Sequence, residues 1–285
     1  MRIQSSELTA SELVEIDNAN SSDKPVVLFV HGLWLLPSSW QKWRELFEAN
    51  GYSTLAPGWP DDPESVEDGR RSPGLFAGKS VGAITNHFVD VIKHLNKKPA
   101  IIGHSFGGLI TQKLAGLGLA TASVAIDPAP FRGVLPLPIS ALKAAFPVLG
   151  NPRNRGRAVM LTYEEFRFAF ANAVSEDEAK QLYATYPVPG AGFPLFQAAF
   201  ANLNPGTEAS VNTKNADRGP LKIISGEKDN TAPWAIANAS FKRQKRNSNI
   251  TEIQEIPDRG HSLIIDSGWQ EVAQVSLDFI GAHSG

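Results

Sequence analysis

Cysteine is absent from the 285 residues. That gap excludes disulfides, thiolate metal centres and a cysteine nucleophile together, and it fits a reducing compartment. Also missing is any apolar run approaching the ~18 residues of a membrane-spanning helix. Met1 to Asp23 carries Ser and Glu rather than a basic start and an apolar stretch, so no signal peptide is expected, and the expected location is cytoplasmic. An excess of one charge is lacking too. Lys and Arg number 27 against 29 Asp and Glu, a formal net charge of −2, which gives no electrostatic ground for nucleic acid or a membrane as partner. Internal repeats and low-complexity tracts are absent. What is there is ordinary globular composition, 42% hydrophobic and 20% charged, in a chain long enough for one large core with an insertion.

Along the chain, strands alternate with helices. Pro25 to Val30 is a continuous β-branched apolar run, as in a strand buried on both faces. Trp40 to Asn50 carries Trp40, Trp43 and Phe47 at roughly helical spacing, with Gly51 as a stop. Tyr52 to Ala56 is a short strand, and the polar stretch Asp61 to Lys79 reads as a surface excursion. Ser80 to Leu95 is an amphipathic helix. Ile101-Ile102 and Ala122 to Ile126 are strands, and Leu221–Ser225, Pro233–Arg246, Ile250–Ile256 and Trp269–Ile280 follow as strand, helix, strand and helix. This order predicts an α/β fold with a doubly wound, mostly parallel sheet.

Pro128 to Arg218 breaks the alternation. It has helical patterns near 137–149, 163–173, 176–186 and 193–203 and no strong strand, so it reads as a helical cap over the carboxyl edge of the sheet, where α/β proteins bind small molecules. The division expected is a core of residues 1–127 and 216–285 with a cap of 128–215. Phe131, Phe166, Phe170 and Phe196 of the cap, with Trp34, are expected to line the pocket, favouring an apolar or aromatic substrate.

Gly103-His-Ser-Phe-Gly-Gly108 is the most informative stretch. It lies between the Ile101-Ile102 strand and a helix-like run, so Gly103-x-Ser105-x-Gly107 marks a sharp strand-to-helix turn whose hydroxyl stands at a helix N-terminus. A serine hydroxyl needs a positioned base, and the base an orienting carboxylate. Of the six histidines, His31 ends the first strand, His104 lies inside the elbow, His87 and His94 sit on a helix and His283 is near the end. His261, in the loop after the Ile250–Ile256 strand, arrives at the same sheet edge as Ser105. For the acid, Asp229 in Ser225-Gly-Glu-Lys-Asp229 is preferred, with Glu227 in the same turn and Asp127 after the Ala122 strand as rivals. Asp127 reads as a turn residue or hinge. Two backbone donors are needed for an oxyanion: Phe106 N–H, and Leu33 N–H with Trp34 N–H as runner-up. No metal motif is present, and neither metal nor organic cofactor is expected.

In order, His-Gly at 31–32, Gly-His-Ser-Phe-Gly-Gly at 103–108, Gly-x-x-Asp at 226–229 and Gly-His at 260–261 resemble the motifs of the α/β-hydrolase superfamily, its serine-nucleophile branch. The resemblance implies a serine hydrolase cleaving a small-molecule carboxylic ester through an acyl-enzyme. The same framework also serves lactonases, C–C hydrolases, perhydrolases, hydroxynitrile lyases and slow-hydrolase receptors. The opening His-Gly-Leu-Trp is similar to that of the plant hydroxynitrile lyases, which need a cation near the substrate.

Overall fold

The structure, a computed structural model, describes residues 7–283; the start of the polar N-terminal stretch, residues 1–6, lies outside them. Six parallel strands form one sheet in the order β2-β1-β3-β4-β7-β8. They are β1 (Val26–Val30), β2 (Ser53–Leu55), β3 (Ala100–His104), β4 (Ser123–Ile126), β7 (Leu221–Gly226) and β8 (Thr251–Ile256). The central strands β1, β3 and β4 are buried throughout. Their apolar runs leave no face for water, whereas the edge strand β8 is mostly half-buried or exposed, with Glu252 and Glu255 facing solvent, as an edge strand can be.

Helices cover both faces. α2 (Gln41–Ala49) drives Trp43 and Phe47 against Phe29, and Trp43 Nε1 donates to Ile264 O at 2.9 Å. α4 (Val81–Lys93), α5 (Phe106–Gly116), α10 (Trp234–Gln244) and α11 (Trp269–His283) complete the layers. A further helix, α1 (Ala10–Asn20), stands in the polar N-terminal stretch, started by a capping box between Thr9 and Glu12. The excursion 61–79 also holds one, α3 (Val66–Arg71). Among the described residues, no helix is long and apolar enough to cross a membrane.

Between β4 and β7 the chain forms α6 (Ile139–Leu149), α7 (Tyr163–Ala169), α8 (Glu176–Thr185) and α9 (Gly192–Ala199). No strong strand is expected here, and the only pairing among the described residues of the insertion is short: β5 (Ala158–Val159) and β6 (Gly190–Ala191) pair antiparallel. At two residues each, they are too short for any alternation to show.

Candidate active site

Ser105 sits where β3 turns into α5, with φ 56° and ψ −119°, a conformation that costs a non-glycine residue about 1–3 kcal/mol. Its surroundings impose it. A Cβ on Gly103 would lie 2.3 Å from Gly107 O, and one on Gly107 would lie 2.0 Å from Val30 O, so only glycine lets strand and helix approach this closely. Ser105 N donates to Ile126 O, and Ser105 O accepts from Ala129 N, each at 2.9 Å. The segment at the end of β4 thus clamps the turn on both sides.

His261 Nε2 lies 3.0 Å from Ser105 Oγ, and His261 Nδ1 lies 2.6 Å from Asp229 Oδ2. All three residues are buried. A carboxylate only accepts, so the ring proton belongs on Nδ1, and Nε2 accepts from the serine hydroxyl. Asp229 is fixed in turn by Thr231 N at 2.6 Å and Ala232 N at 3.0 Å, both donating to Oδ1. The rival in the same turn points elsewhere: Glu227 is exposed and accepts from Asp258 N at 2.8 Å. His87 pairs with Glu12, and His94 Nδ1 contacts Asp90 O.

Asp127 departs from its reading as a simple hinge. Its φ of 41° is turn-like, but its carboxyl is wholly buried beside Asp229. Oδ1 accepts from Gly226 N at 2.8 Å, and Oδ2 stands 3.9 Å from His261 Nδ1. Burial, then the charge and hydrogen bond of Asp229, hold its pKa well above the carboxylate range. Two adjacent buried carboxyls resist ionising together, and the raised pKa marks Asp127 as the one of the pair that favours its proton. Sequence order placed Asp127 at the sheet edge, but only the fold sets it against Asp229.

His104 is the other histidine in the site. Burial, and then the neighbouring His261, push its pKa well below the usual imidazole value. It is neutral, and its Nε2–H donates to His261 O at 2.9 Å. His104, Asp127 and His261 form the one cluster among the described residues dense enough to resemble a metal-ligand set. Its geometry fits a cation poorly, because His261 Nδ1, the nitrogen facing Asp127, is already bonded to Asp229.

The oxyanion donors chosen from the sequence flank the serine. A Cβ on Gly32 would lie 2.8 Å from Ser105 Cβ, so the loop carrying Leu33 rests on Ser105. Among the described residues, neither Leu33 N nor Phe106 N donates a hydrogen bond to another protein group. Trp34, with φ 65°, turns the loop back, and its Nε1 donates to Val159 O at 2.9 Å. Beneath the loop, His31 stacks on Trp59 and places Nε2 3.0 Å from Asp62 Oδ2. Lys79 bonds the other carboxylate oxygen. Burial raises the Asp62 pKa, but His31 and Lys79 outweigh it and hold it below its ordinary value. The excursion 61–79, read from sequence as surface, thus sends Asp62 and Lys79 under the site.

A cavity of about 100 Å³ opens at Ser105. Among the described residues, Thr231 is its only polar neighbour apart from Ser105; the rest of the wall comes from Trp34, Phe106, Ile236 and aliphatic residues between β4 and β7 such as Leu137, Ala141, Leu142, Leu149 and Leu195. The expected aromatic lining is therefore corrected. Trp34 faces the cavity, but Leu33 and the four phenylalanines do not. Phe131 is buried in the core. Phe166 and Phe170 stack on each other at 5.2 Å, and Phe196 stacks on Phe200. Flat rings lose less by packing on each other and on the base than by standing open in a narrow cavity.

Phe170 has a different place: its ring meets that of His261 edge-on at 4.8 Å. The end of α7 is stitched to the loops that carry Asp229 and His261. Ser262 N donates to Phe170 O, Thr231 Oγ1 to Ala169 O, Asn230 Nδ2 to Phe168 O and Asn172 Nδ2 to Lys228 O, all at 2.7–3.0 Å.

A parallel sheet with a serine on the strand-to-helix turn and a histidine–carboxylate pair behind it defines the α/β-hydrolase class. The chain belongs to the alpha/beta hydrolase family, whose model matches residues 27–275. Solved structures share the fold. A monoacylglycerol lipase from Paleococcus ferrophilus superposes with a TM-score of 0.65 at 22% identity, covering 92% of this chain and 96% of its own. A pyrethroid hydrolase from Sphingobium faniae gives 0.64 at 18% identity, covering 90% and 98%. A polyneuridine aldehyde esterase gives 0.61 at 19%, covering 89% and 98%. A search of curated protein sequences returns no match.

Proposed function

We propose that the protein is a serine hydrolase that cleaves a carboxylic ester with an apolar, predominantly aliphatic acyl group. The carrying observation is the unbroken line Ser105 Oγ–His261 Nε2, His261 Nδ1–Asp229 Oδ2, at 3.0 and 2.6 Å, opening onto an apolar cavity. His261 takes the proton of Ser105 as Oγ attacks the ester carbonyl. Asp229 stabilises the imidazolium that forms, and the oxyanion rests on the N–H groups of Leu33 and Phe106, each donor being worth about 10²–10³ in rate. The imidazolium then protonates the leaving alcohol, and an acyl-Ser105 remains. A water deprotonated by His261 releases the acid and restores the serine.

In this reading, residues 128–215 are a cap whose α6 and α9 select the acyl group by shape. Among the described residues, the cavity wall holds no Lys or Arg, which argues against the cation that the cyanohydrin-cleaving alternative requires. Lactone, C–C and peracid chemistry share the triad, and substrates separate them.

The test is a panel of p-nitrophenyl esters from acetate to palmitate, with matching lactones, run with and without a serine-directed phosphonate. The expected result is phosphonate-sensitive hydrolysis with kcat/KM rising from acetate to medium-chain esters. Turnover that survives complete phosphonate labelling of Ser105, or that favours a charged acyl group, overturns the reading.

A further inference from the structure

The apolar wall of the cavity does not end at its mouth. α6 turns Ala144 and Val148 into the protein, yet Ile139, Leu142 and Phe146 are 85%, 49% and 69% exposed. Their spacing of three and four residues puts them on one side of the helix. Leu135 and Leu137, just before it, are 68% and 65% exposed. Leu137 and Leu142 also line the cavity, so the surface patch and the cavity wall are one apolar surface. Proteins rarely leave such a surface uncovered without a partner for it.

Charge says which partner. From Pro128 to Tyr163 the chain carries Arg132, Lys143, Arg153, Arg155 and Arg157 and no Asp or Glu, within a protein of net charge −2. All five side chains are exposed, and none is ion-paired with a carboxylate among the described residues. Arg153 and Arg155 lie on the turn Pro152–Gly156. This turn is pinned to the end of α6 by Asn154 Nδ2, which donates to Pro147 O and Val148 O at 3.2 Å.

A second copy docking through a two-fold contact sets this acid-free segment against itself, cation to cation. An anionic lipid surface answers both features. Apolar side chains enter the headgroup–acyl boundary to a depth of about 5–10 Å, while Lys and Arg meet the lipid phosphates.

We infer that α6 and its flanking basic turns dock the protein on anionic lipid–water interfaces, with the cavity mouth facing the acyl layer. Docking is independent of the chemistry. Only its use, taking an acyl chain directly from the lipid phase, rests on the ester-hydrolase reading.

The test is co-sedimentation with phosphatidylcholine vesicles, with and without a quarter of phosphatidylglycerol, at low and high salt. The wild type is expected to partition at least about tenfold more strongly onto the anionic vesicles, and salt should reduce that preference. Ile139→Ser/Phe146→Ser should lose about tenfold or more in vesicle binding, and Arg153→Glu/Arg157→Glu should lose the preference for anionic lipid. Both double variants should keep wild-type hydrolysis of a soluble short-chain ester, which shows that they are folded. Ser105→Ala should bind vesicles like the wild type, so vesicle binding without any ester hydrolysis would remove the proposed chemistry and leave docking standing. The proposal is overturned by no binding to anionic vesicles, by binding that neither double variant weakens, or by a wild-type dimer that Phe146→Ser dissociates.

Discussion

Replacing Asp229 in two ways should give two different enzymes, and the difference follows from the carboxyl beside it. In Asp229→Asn, the side-chain oxygen stays with the N–H groups of Thr231 and Ala232, which now donate to Oδ1. The amide NH2 then takes the position of Oδ2, 2.6 Å from His261 Nδ1. Two donors cannot face each other, so the ring proton moves to Nε2 and points at Ser105, and kcat should fall by about 10⁴. Asp229→Ala imposes no tautomer. It also removes the charge and hydrogen bond that add to burial in raising the Asp127 pKa, and the imidazolium forming 3.9 Å from Oδ2 favours the ionised carboxyl. A charge at about 4 Å in an effective dielectric of about 20 stabilises an imidazolium by about 4 kcal/mol, enough to hold the loss near 10². The alanine variant should therefore be the faster one, despite about 1–3 kcal/mol of lost stability from the N–H groups it leaves unpaired. Adding Asp127→Asn to Asp229→Ala should bring the loss back to about 10⁴. The assay is kcat for a short-chain ester, measured well below each variant's melting temperature. If Asp229→Ala is no faster than Asp229→Asn, or if the added Asp127→Asn changes nothing, Asp127 does not back up the site.

Ser105→Ala and His261→Ala should each lower kcat by about 10³ or more, and the double variant should cost little beyond either single one, because the two act as a unit; additive losses in kcat would contradict a shared mechanism. Gly32→Ala brings a methyl to 2.8 Å from Ser105 Cβ and 2.9 Å from His104 O. It should shift the Leu33 donor and lower kcat by about 10²–10³ with KM little changed, and an unaltered kcat would remove that loop from the oxyanion hole. Because the folded pKa of Asp62 is depressed, its contribution to stability is present above the ordinary carboxylate value and lost as pH falls through and below about 4. Lys79→Met should lower stability at pH 7 by about 3–5 kcal/mol and move the acid loss to higher pH, and thermal melts across pH 3–7 decide it. Activity should survive prolonged EDTA dialysis, and loss restored by a specific divalent ion would reopen His104, Asp127 and His261 as a metal site.

What could be read from the sequence is what local chemistry determines. The buried strands announce themselves as apolar runs such as Val26–Val30, and Gly103-x-Ser105-x-Gly107 has one steric meaning. Chain order then brought Ser105, Asp229 and His261 to one edge of the sheet. The helix α1 escaped because its apolar face is weak, although the Thr9-x-x-Glu12 capping box marked its start. The sequence assigns the phenylalanines to a segment but not to a direction, because a helix position does not say whether a ring faces a cavity or another ring. The links from His31 to Asp62 and from Asp127 to Asp229 close over 31 and 102 residues, distances at which sequence spacing carries no information. The basic character of 128–163 was hidden by a whole-chain charge that averages it away.

The stitching of α7 to the Asp229 and His261 loops has a consequence for traffic. Phe170 touches His261 with its ring and holds the His261 loop with its carbonyl. The neighbouring carbonyls of Phe168 and Ala169 hold the turn that carries Asp229. Swinging this end of the cap outward would unseat the histidine and its partner before any passage opened. Such an enzyme has a fixed rear wall and a front door. In the proposed ester hydrolase, the way in and out is then the mouth at α6 rather than a hinged lid at α7.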